Sequence, residues 1–201
     1  MKGVFPMKKI LCMVLALVLA LSVSAGALAE VVPSVRLSDL VSVDISAENL
    51  PEGVEIVFET STSPEEIAFA KDQLAGLLIY LTEKIGKIED FFGLVIMPDG
   101  RVTTLQKLLS SDEINLDEFL PIHVENYDPS YGNVTARFQF LTPYSPEDEV
   151  IVLIGIVEGT RVIWYGFNAH GLENGALEVL FNPGILMMIQ NNMSLLAVLS
   201  K

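Results

Sequence analysis

The chain has 201 residues, with 12 lysines and arginines against 26 aspartates and glutamates, and a net charge of −14. Nucleic acid and anionic membrane surfaces are disfavoured as partners, because both are recognised through clustered basic side chains. The one cysteine, Cys12, lies in an N-terminal apolar segment that we predict to be removed, so disulfides and thiolate chemistry are excluded from the mature chain.

The N-terminus has the pattern of a secretory signal peptide. Two lysines precede an apolar run over residues 10–23, and a small-residue Ala-Leu-Ala segment ends at Ala29. We therefore predict a signal peptide over residues 1–29, cleavage after Ala29, and a secreted, extracellular protein with no membrane segment after cleavage. An uncleaved membrane anchor is the alternative, and Met7 is an alternative start.

We predict an α+β N-terminal domain over residues 30–120. Residues 53–60 alternate between apolar and acidic side chains, which is typical of a half-buried strand. A capping box of Ser63 and Glu66 then predicts the start of a helix over residues 64–92. Its apolar residues recur every three or four positions and form one stripe: Ile67, Ala70, Leu74, Leu77, Leu81, Ile85, Ile88 and Phe92.

Two interpretations of this stripe are open. The favoured one packs it on the protein's own sheet, because the preceding strand has one apolar face that needs a cover. The other leaves it exposed as a partner-binding face, which is typical of a folding or assembly accessory. A predicted hairpin with its turn at Pro98, Asp99 and Gly100 and a short helix from Thr104 to Leu109 follow.

An acidic stretch over residues 112–118 is a candidate calcium site. Carboxylate oxygens are the ligands that calcium prefers, and Asp112, Glu113, Asp117 and Glu118 supply four. The spacing lacks the glycine and the alternating ligands of an EF-hand loop. We favour a solvated face and predict no metal site, and calcium binding by this stretch stays an open alternative.

The C-terminal domain is predicted over residues 121–201, beginning at Pro121. The central feature is a hairpin over residues 149–168 with its turn at Glu158 and Gly159. The pair Asn174-Gly175 predicts a second hairpin with a type I′ turn. Short strands at this spacing predict an antiparallel β-sandwich, with the other strands over residues 134–140, 176–181 and 194–199.

These strands carry a pattern that resembles the C-terminal modules of uncharacterised secreted proteins of Gram-positive, often gut-dwelling, bacteria. Such modules look immunoglobulin-like, and the resemblance implies that fold for residues 121–200. It implies no established activity, so no functional residue carries over. The matching residues are Phe138, Phe140, Thr142, Pro143, Tyr144, residues 152–156, Trp164, Asn174, Gly175, Leu177, Val179, Phe181 and residues 195–200.

The sequence contains few of the residue patterns that are typical of catalytic sites. The two histidines, His123 and His170, have no spaced ligand partner, and no Gly-x-Ser-x-Gly elbow or His-Glu-x-x-His motif is present. We therefore interpret each histidine as a structural or surface residue. No catalytic, cofactor-binding or metal-binding residue is predicted.

Two residue groups keep other interpretations open. Glu147, Asp148 and Glu149 are adjacent in a predicted loop and make a poor acid–base pair as written, although pairing across the fold would suit a glycosidase. Trp164 and Tyr165 would suit sugar stacking, but a buried tryptophan of the core is the favoured interpretation.

We thus predict a helix packed on a small sheet, followed by an immunoglobulin-like antiparallel sandwich. The favoured function is a secreted, non-catalytic binding or structural module that engages an extracellular protein or glycan. The alternative is a secreted carboxylate-dependent hydrolase. The sequence leaves the specific partner and the oligomeric state open.

Overall fold

The computed structural model describes residues 36–83, 86–111 and 113–201. The predicted signal peptide lies outside these residues. The strands are β1 (Leu40–Ala47), β2 (Val57–Thr60), β3 (Leu94–Ile96), β4 (Val102–Thr104), β5 (Asn115–Glu125), β6 (Val134–Phe140), β7 (Val150–Glu158), β8 (Arg161–Gly171), β9 (Leu177–Phe181) and β10 (Ser194–Ser200). The helices are α1 (Pro64–Glu83), α2 (Ile88–Phe92), α3 (Leu105–Leu109) and α4 (Pro183–Asn191), with a 3-10 turn at Pro129–Tyr131.

All the described strands belong to one hydrogen-bonded sheet. Its order is β1-β6-β9-β8-β7-β10-β5-β2, and every pairing along this path is antiparallel. The two end strands, β1 and β2, approach each other, so the sheet is nearly closed. The short hairpin β3–β4 adds to it through a parallel pairing of β3 with β8.

The enclosed inner face carries the larger hydrophobic cluster. Side chains alternate between the two faces of a strand, so every second residue of β5 to β10 points inward. Three phenylalanines from different strands, Phe58, Phe138 and Phe181, lie with ring centroids 5.2–6.2 Å apart. Helix α4 covers one end of this interior with Ile185 and Ile189, both of which are buried.

A second cluster lies on the outer face, under the helices. The alternate residues of β7 and β10 point outward and meet α1, α2, α3 and the β3–β4 hairpin. Because both faces of these two strands are covered, they are apolar almost throughout, which explains the unbroken hydrophobic run of β7. Trp164 lies in this layer with its ring centroid 4.8 Å from that of Phe92.

The apolar stripe of the N-terminal segment packs on the protein's own sheet, as the favoured interpretation predicted. Ala70, Leu74 and Leu77 are buried in the outer cluster. The prediction of a single helix over residues 64–92 is wrong, because two helices, α1 and α2, occur there. Ile85, which was assigned to the stripe, lies outside the described residues. Glycine is a poor helix former. Gly86 lies beyond the end of α1, and its N–H donates to the carbonyl of Tyr80 within α1.

The coarse prediction of helices on a mostly antiparallel sheet is confirmed. Pro121, at which we predicted the second domain to begin, lies inside β5, which pairs with β2 on one side and β10 on the other. Strands from both predicted domains therefore share one sheet, and Val35–Lys201 forms one compact unit. The acidic stretch, predicted as a solvated face, contains the first residues of β5.

The predicted hairpins form, with one correction of turn type. The β3–β4 hairpin turns where expected. The β7–β8 hairpin turns one residue later than the predicted Glu158 and Gly159, because Glu158 pairs with Arg161 and the loop consists of Gly159 and Thr160. Gly159 has the positive φ that this turn requires. Between β8 and β9, the Leu172 N–H bonds the Ala176 carbonyl, which encloses three residues instead of the two of a type I′ turn. Gly175 alone supplies a positive φ there. In the described part of the chain, no helix is long and apolar enough to cross a membrane.

Candidate functional site

The sheet forks along one edge of β8. Near its middle, Trp164 and Tyr165 pair with β3, whereas residues 169–171 pair with β9. Residues 166–168 lie between these two pairings and have no ladder partner on that side among the described residues. A fork of this kind separates two strands that would otherwise be neighbours, and it leaves a gap between them. Small-molecule sites in proteins are concave clefts, so this gap is the candidate site.

A cleft of about 560 Å³ occupies the fork. Its lining combines one apolar wall with a polar rim of amide, hydroxyl, imidazole and carboxylate groups. A smaller cavity of about 210 Å³ adjoins it beneath the β3–β4 turn and shares four of its residues. The lining residues of the larger cleft are Met97, Pro98, Asn133, Thr135, Phe167, Asn168, His170, Glu178, Leu180 and Asn182.

The polar rim is built by the outward-facing residues of three adjacent strands. Arg137, Glu178 and His170 are direct cross-strand neighbours on β6, β9 and β8. The Arg137 Nε lies 2.8 Å from Glu178 Oε2, and its guanidinium also lies 3.4 Å from Asp44 Oδ2. These two carboxylates raise the pKa of Arg137, and the hydrogen bond that Arg137 donates to Glu178 is the largest cause. The guanidinium therefore fixes the position of the Glu178 side chain through this hydrogen bond.

The remaining rim groups are presented by well-defined local structure. Asn182 caps α4, and its side-chain oxygen accepts a hydrogen bond of 3.0 Å from the Ile185 N–H. Asn168 and His170 are exposed on β8, since their inward-facing neighbours hold the strand in the core. Leu180, 58% exposed, presents an apolar surface among these polar groups.

The two histidines considered in the sequence lie in different parts of the structure. His170 lines the cleft directly opposite Glu178. His123 lies on β5, with its Nε2 3.4 Å from Glu125 Oε1. Neither Glu178 nor Asn168 was among the candidate residues predicted from the sequence. The signal that marks them is the alternation of β8 and β9, which leaves both polar side chains on the outer face.

Trp164 and Tyr165 lie in different environments. Trp164 is buried under α2 and faces the outer cluster, as the interpretation of a core tryptophan predicted. Tyr165 is half-buried and lines the smaller cavity together with Met188. The described residues therefore present Tyr165, and not Trp164, to the region of the cleft.

The acidic residues do not gather as a metal site. Within residues 36–83, 86–111 and 113–201, no three Asp, Glu, His or Cys side chains converge as metal ligands. Asp112 lies outside these residues, Glu113 is exposed, and Glu118 is buried. Glu149 pairs with Lys201, whose Nζ is 2.6 Å from its Oε2. Asp148 lies instead near Asp117, at the end of the closed sheet.

Comparison with models of known protein families, with curated proteins and with solved structures gives no match. The interpretation of the cleft therefore rests on its geometry and chemistry.

Proposed function

We propose that the protein is a secreted, non-catalytic binding module, and that the fork cleft holds a polar extracellular ligand, which we take to be a glycan. The observation that carries the proposal is the combination, in one open cleft, of fixed hydrogen-bonding groups with an exposed apolar side chain. Sugars present hydroxyl groups around a ring whose faces are apolar, so both parts of the cleft would be used.

The size and lining of the cleft support this proposal. Its volume falls within the range of about 300–1,000 Å³ that small-molecule sites occupy. Asn168 and Asn182 offer both donors and acceptors, and Glu178 offers an acceptor whose position Arg137 fixes. Leu180 would contact an apolar ring face. Rigid polar groups on strands lose little conformational entropy on binding, which favours affinity.

The same lining gives little support to the alternative, a carboxylate-dependent hydrolase. Glycoside hydrolysis generally uses two carboxyl groups, about 5–10 Å apart, that flank the bond to be broken. Among the described residues that line the cleft, Glu178 is the one carboxylate, and it is paired with Arg137, so the second carboxyl group that this reaction needs is absent from that lining.

Secretion and the relation to immunoglobulin-like modules also remain proposals. The antiparallel strands β6 to β10 are compatible with such a module, and the acidic charge suits an extracellular setting. N-terminal sequencing of protein recovered from the culture medium tests the predicted cleavage after Ala29. A protein retained in the cell with residues 1–29 intact would contradict it.

The binding proposal is tested on a panel of immobilised host and cell-wall oligosaccharides. The purified protein is compared with an Asn168→Ala/His170→Ala variant and with His123→Ala, a matched histidine control outside the cleft. We expect at least one oligosaccharide to bind, and the double variant to bind it at least tenfold more weakly while His123→Ala retains full binding. Loss of binding in both variants, or in neither, would contradict the proposal.

The panel also separates the other candidate functions. Shortened oligosaccharides, detected by mass spectrometry after incubation, would indicate a hydrolase. A panel without any binder, followed by a protein partner whose capture depends on Asn168 and His170, would place a protein surface in the cleft.

A further inference from the structure

The smaller cavity beneath the β3–β4 turn differs in chemistry from the fork cleft that it adjoins. It has a volume of about 210 Å³. Met97, Pro98, Phe167 and Asn182 line both spaces, so no wall of other residues separates them there. One ligand can therefore occupy the two spaces together, with its polar part in the cleft and a second part in the smaller cavity.

The wall of the smaller cavity is mostly apolar. Its residues come from the β3–β4 hairpin, from β8 and from the first turns of α4. Met97, Phe167 and Ile185 are buried in this wall, whereas Met188 is 37% exposed. An apolar side chain that is left in water gains free energy when another apolar group covers it. The lining therefore favours an apolar part of a ligand.

Close packing holds the hairpin side of this wall in place. Gly166 on β8 lies under the hairpin, and a Cβ at this position would stand 2.6 Å from Val95 Cγ1 and 3.1 Å from Met97 Sδ. The parallel pairing of β3 with β8 fixes the same two elements through the backbone. The cavity is consequently formed before a ligand arrives, which lowers the entropic cost of binding.

Two polar side chains interrupt the apolar wall. The Asn182 Oδ1 accepts a hydrogen bond of 3.0 Å from the Ile185 N–H, so the Nδ2 is the donor that Asn182 can offer to a ligand. The half-buried Tyr165 adds a phenolic hydroxyl, which both donates and accepts. A hydrocarbon substituent would cover these groups without pairing them, and an unpaired polar group that loses water is costly. The cavity thus suits a substituent that combines an apolar end with an amide.

We propose that the smaller cavity holds the acetamido group of an N-acetylated hexosamine whose ring lies in the fork cleft. This inference rests on the proposed function and specifies the class of glycan. The acetamido methyl group would contact Met97 and Met188, and its carbonyl oxygen would accept from the Asn182 Nδ2. A water molecule takes up about 30 Å³ in the liquid, so a cavity of about 210 Å³ has room for this substituent.

The test compares sugars that differ in this substituent alone. The methyl glycosides of N-acetylglucosamine and N-acetylgalactosamine are titrated into ¹⁵N-labelled protein, beside the methyl glycosides of glucose and galactose, which carry a hydroxyl group instead. We expect one N-acetylated sugar to bind at least tenfold more tightly than its hydroxyl counterpart. Equal affinities within both pairs, or no binding of either N-acetylated sugar at about 10 mM, would overturn the proposal.

An isosteric variant tests the hydrogen bond to the carbonyl oxygen. Asn182→Asp keeps the oxygen that caps α4 but loses the Nδ2 donor. The matched control is Asn174→Asp, because Asn174 Oδ1 also accepts a local backbone bond, 3.2 Å from the Ala176 nitrogen, and Asn174 lies in neither lining. Asn182→Asp should lower the preference for the N-acetylated sugar at least tenfold, while Asn174→Asp retains it. An unchanged preference in both variants, or an equal loss in both, would contradict the proposed contact.

A charge placed beside the methyl group tests the apolar wall. Met188→Lys introduces a cation into the lining, and Leu141→Lys makes the same change of charge at a residue that is 70% exposed and lies outside both linings. We expect Met188→Lys to lower the preference for the N-acetylated sugar at least fivefold and Leu141→Lys to leave it unchanged. A preference that is the same in the two variants would contradict the placement of the methyl group.

The acetamido assignment and the glycan proposal fail separately. A sugar without an acetamido group that binds, and whose binding depends on Asn168 and His170, would overturn the assignment and leave the glycan proposal standing. Absence of any binder on the oligosaccharide panel would overturn both.

Discussion

Substitution of Gly155 by alanine tests how closely the outer layer packs. Gly155 lies on β7 opposite Trp164 on β8, and a Cβ at this position would stand 2.6 Å from Trp164 Cζ3 and 2.7 Å from Val162 Cγ1. Carbon atoms in contact are normally about 3.5–4.0 Å apart. The indole has little room to retreat, because Phe92 and Phe119 contact it from other directions.

The expected loss follows from two opposing effects. Overpacking a core costs about 1–3 kcal/mol, whereas alanine gains roughly 0.5–1 kcal/mol over glycine inside a strand. We therefore expect Gly155→Ala to lower the free energy of unfolding by about 1–2 kcal/mol. For a domain of this size that lowers Tm by roughly 2–8 °C.

Guanidinium unfolding, followed through the fluorescence of the single tryptophan, measures this change at the site itself. The matched control is Gly76→Ala on the exposed face of α1, where a Cβ meets nothing within 4 Å. That substitution should stabilise the protein by about 0.5–1 kcal/mol through helix propensity. Equal stabilisation by both substitutions would refute the packing of Trp164 against Gly155.

Three further outcomes are expected. Leu77→Ala removes a fully buried contact between α1 and the sheet and should cost about 2–5 kcal/mol in chemical unfolding, whereas a cost below 1 kcal/mol would mean that the helix is not packed there. Asn182→Ala removes the cap of α4 and should cost about 0.5–2 kcal/mol, while Asn182→Asp should retain most of that stability. Burial raises the pKa of Asp117 and Glu118 in the folded protein. Ionising them therefore lowers the free energy of unfolding, and this loss is complete above the raised pKa values and disappears below the ordinary values of 3.8 and 4.5. Asp117→Asn/Glu118→Gln should thus exceed the parent in stability at pH 7 by a margin that shrinks toward pH 4, and a margin independent of pH would contradict this reasoning.

Local patterns in the sequence predicted most of the strands and turns. The alternation of β6 and the apolar run of β7 are direct consequences of which faces are buried, and such patterns are visible in any short window. The capping box likewise marks the first residue of α1. The order of the strands was not predictable in this way, because β10 pairs with β5 and β2 pairs with β5 across long separations. Those pairings close the sheet and join the two predicted domains.

The candidate cleft shows why a single local rule can mislead. A two-residue turn at Asn174-Gly175 would place His170 opposite Val179, whereas the three-residue loop places it opposite Glu178. A shift of one residue in the pairing would move every side chain of a strand to the opposite face of the sheet. The observed register keeps Ala169 and Val179 paired and buried, so burial of this pair decides the register. The fork itself depends on the parallel pairing of β3 with β8, for which no nearby residue gives a signal.

The central claim is that the fork cleft binds a polar ligand. Its most direct test is a titration of ¹⁵N-labelled protein with the oligosaccharide that binds best on the panel, followed by backbone and imidazole chemical shifts. We predict that the largest changes fall at residues 166–168, His170 and Glu178, and that His123 does not shift. Changes confined to residues outside the fork, with His170 and Glu178 unmoved at saturation, would contradict the claim.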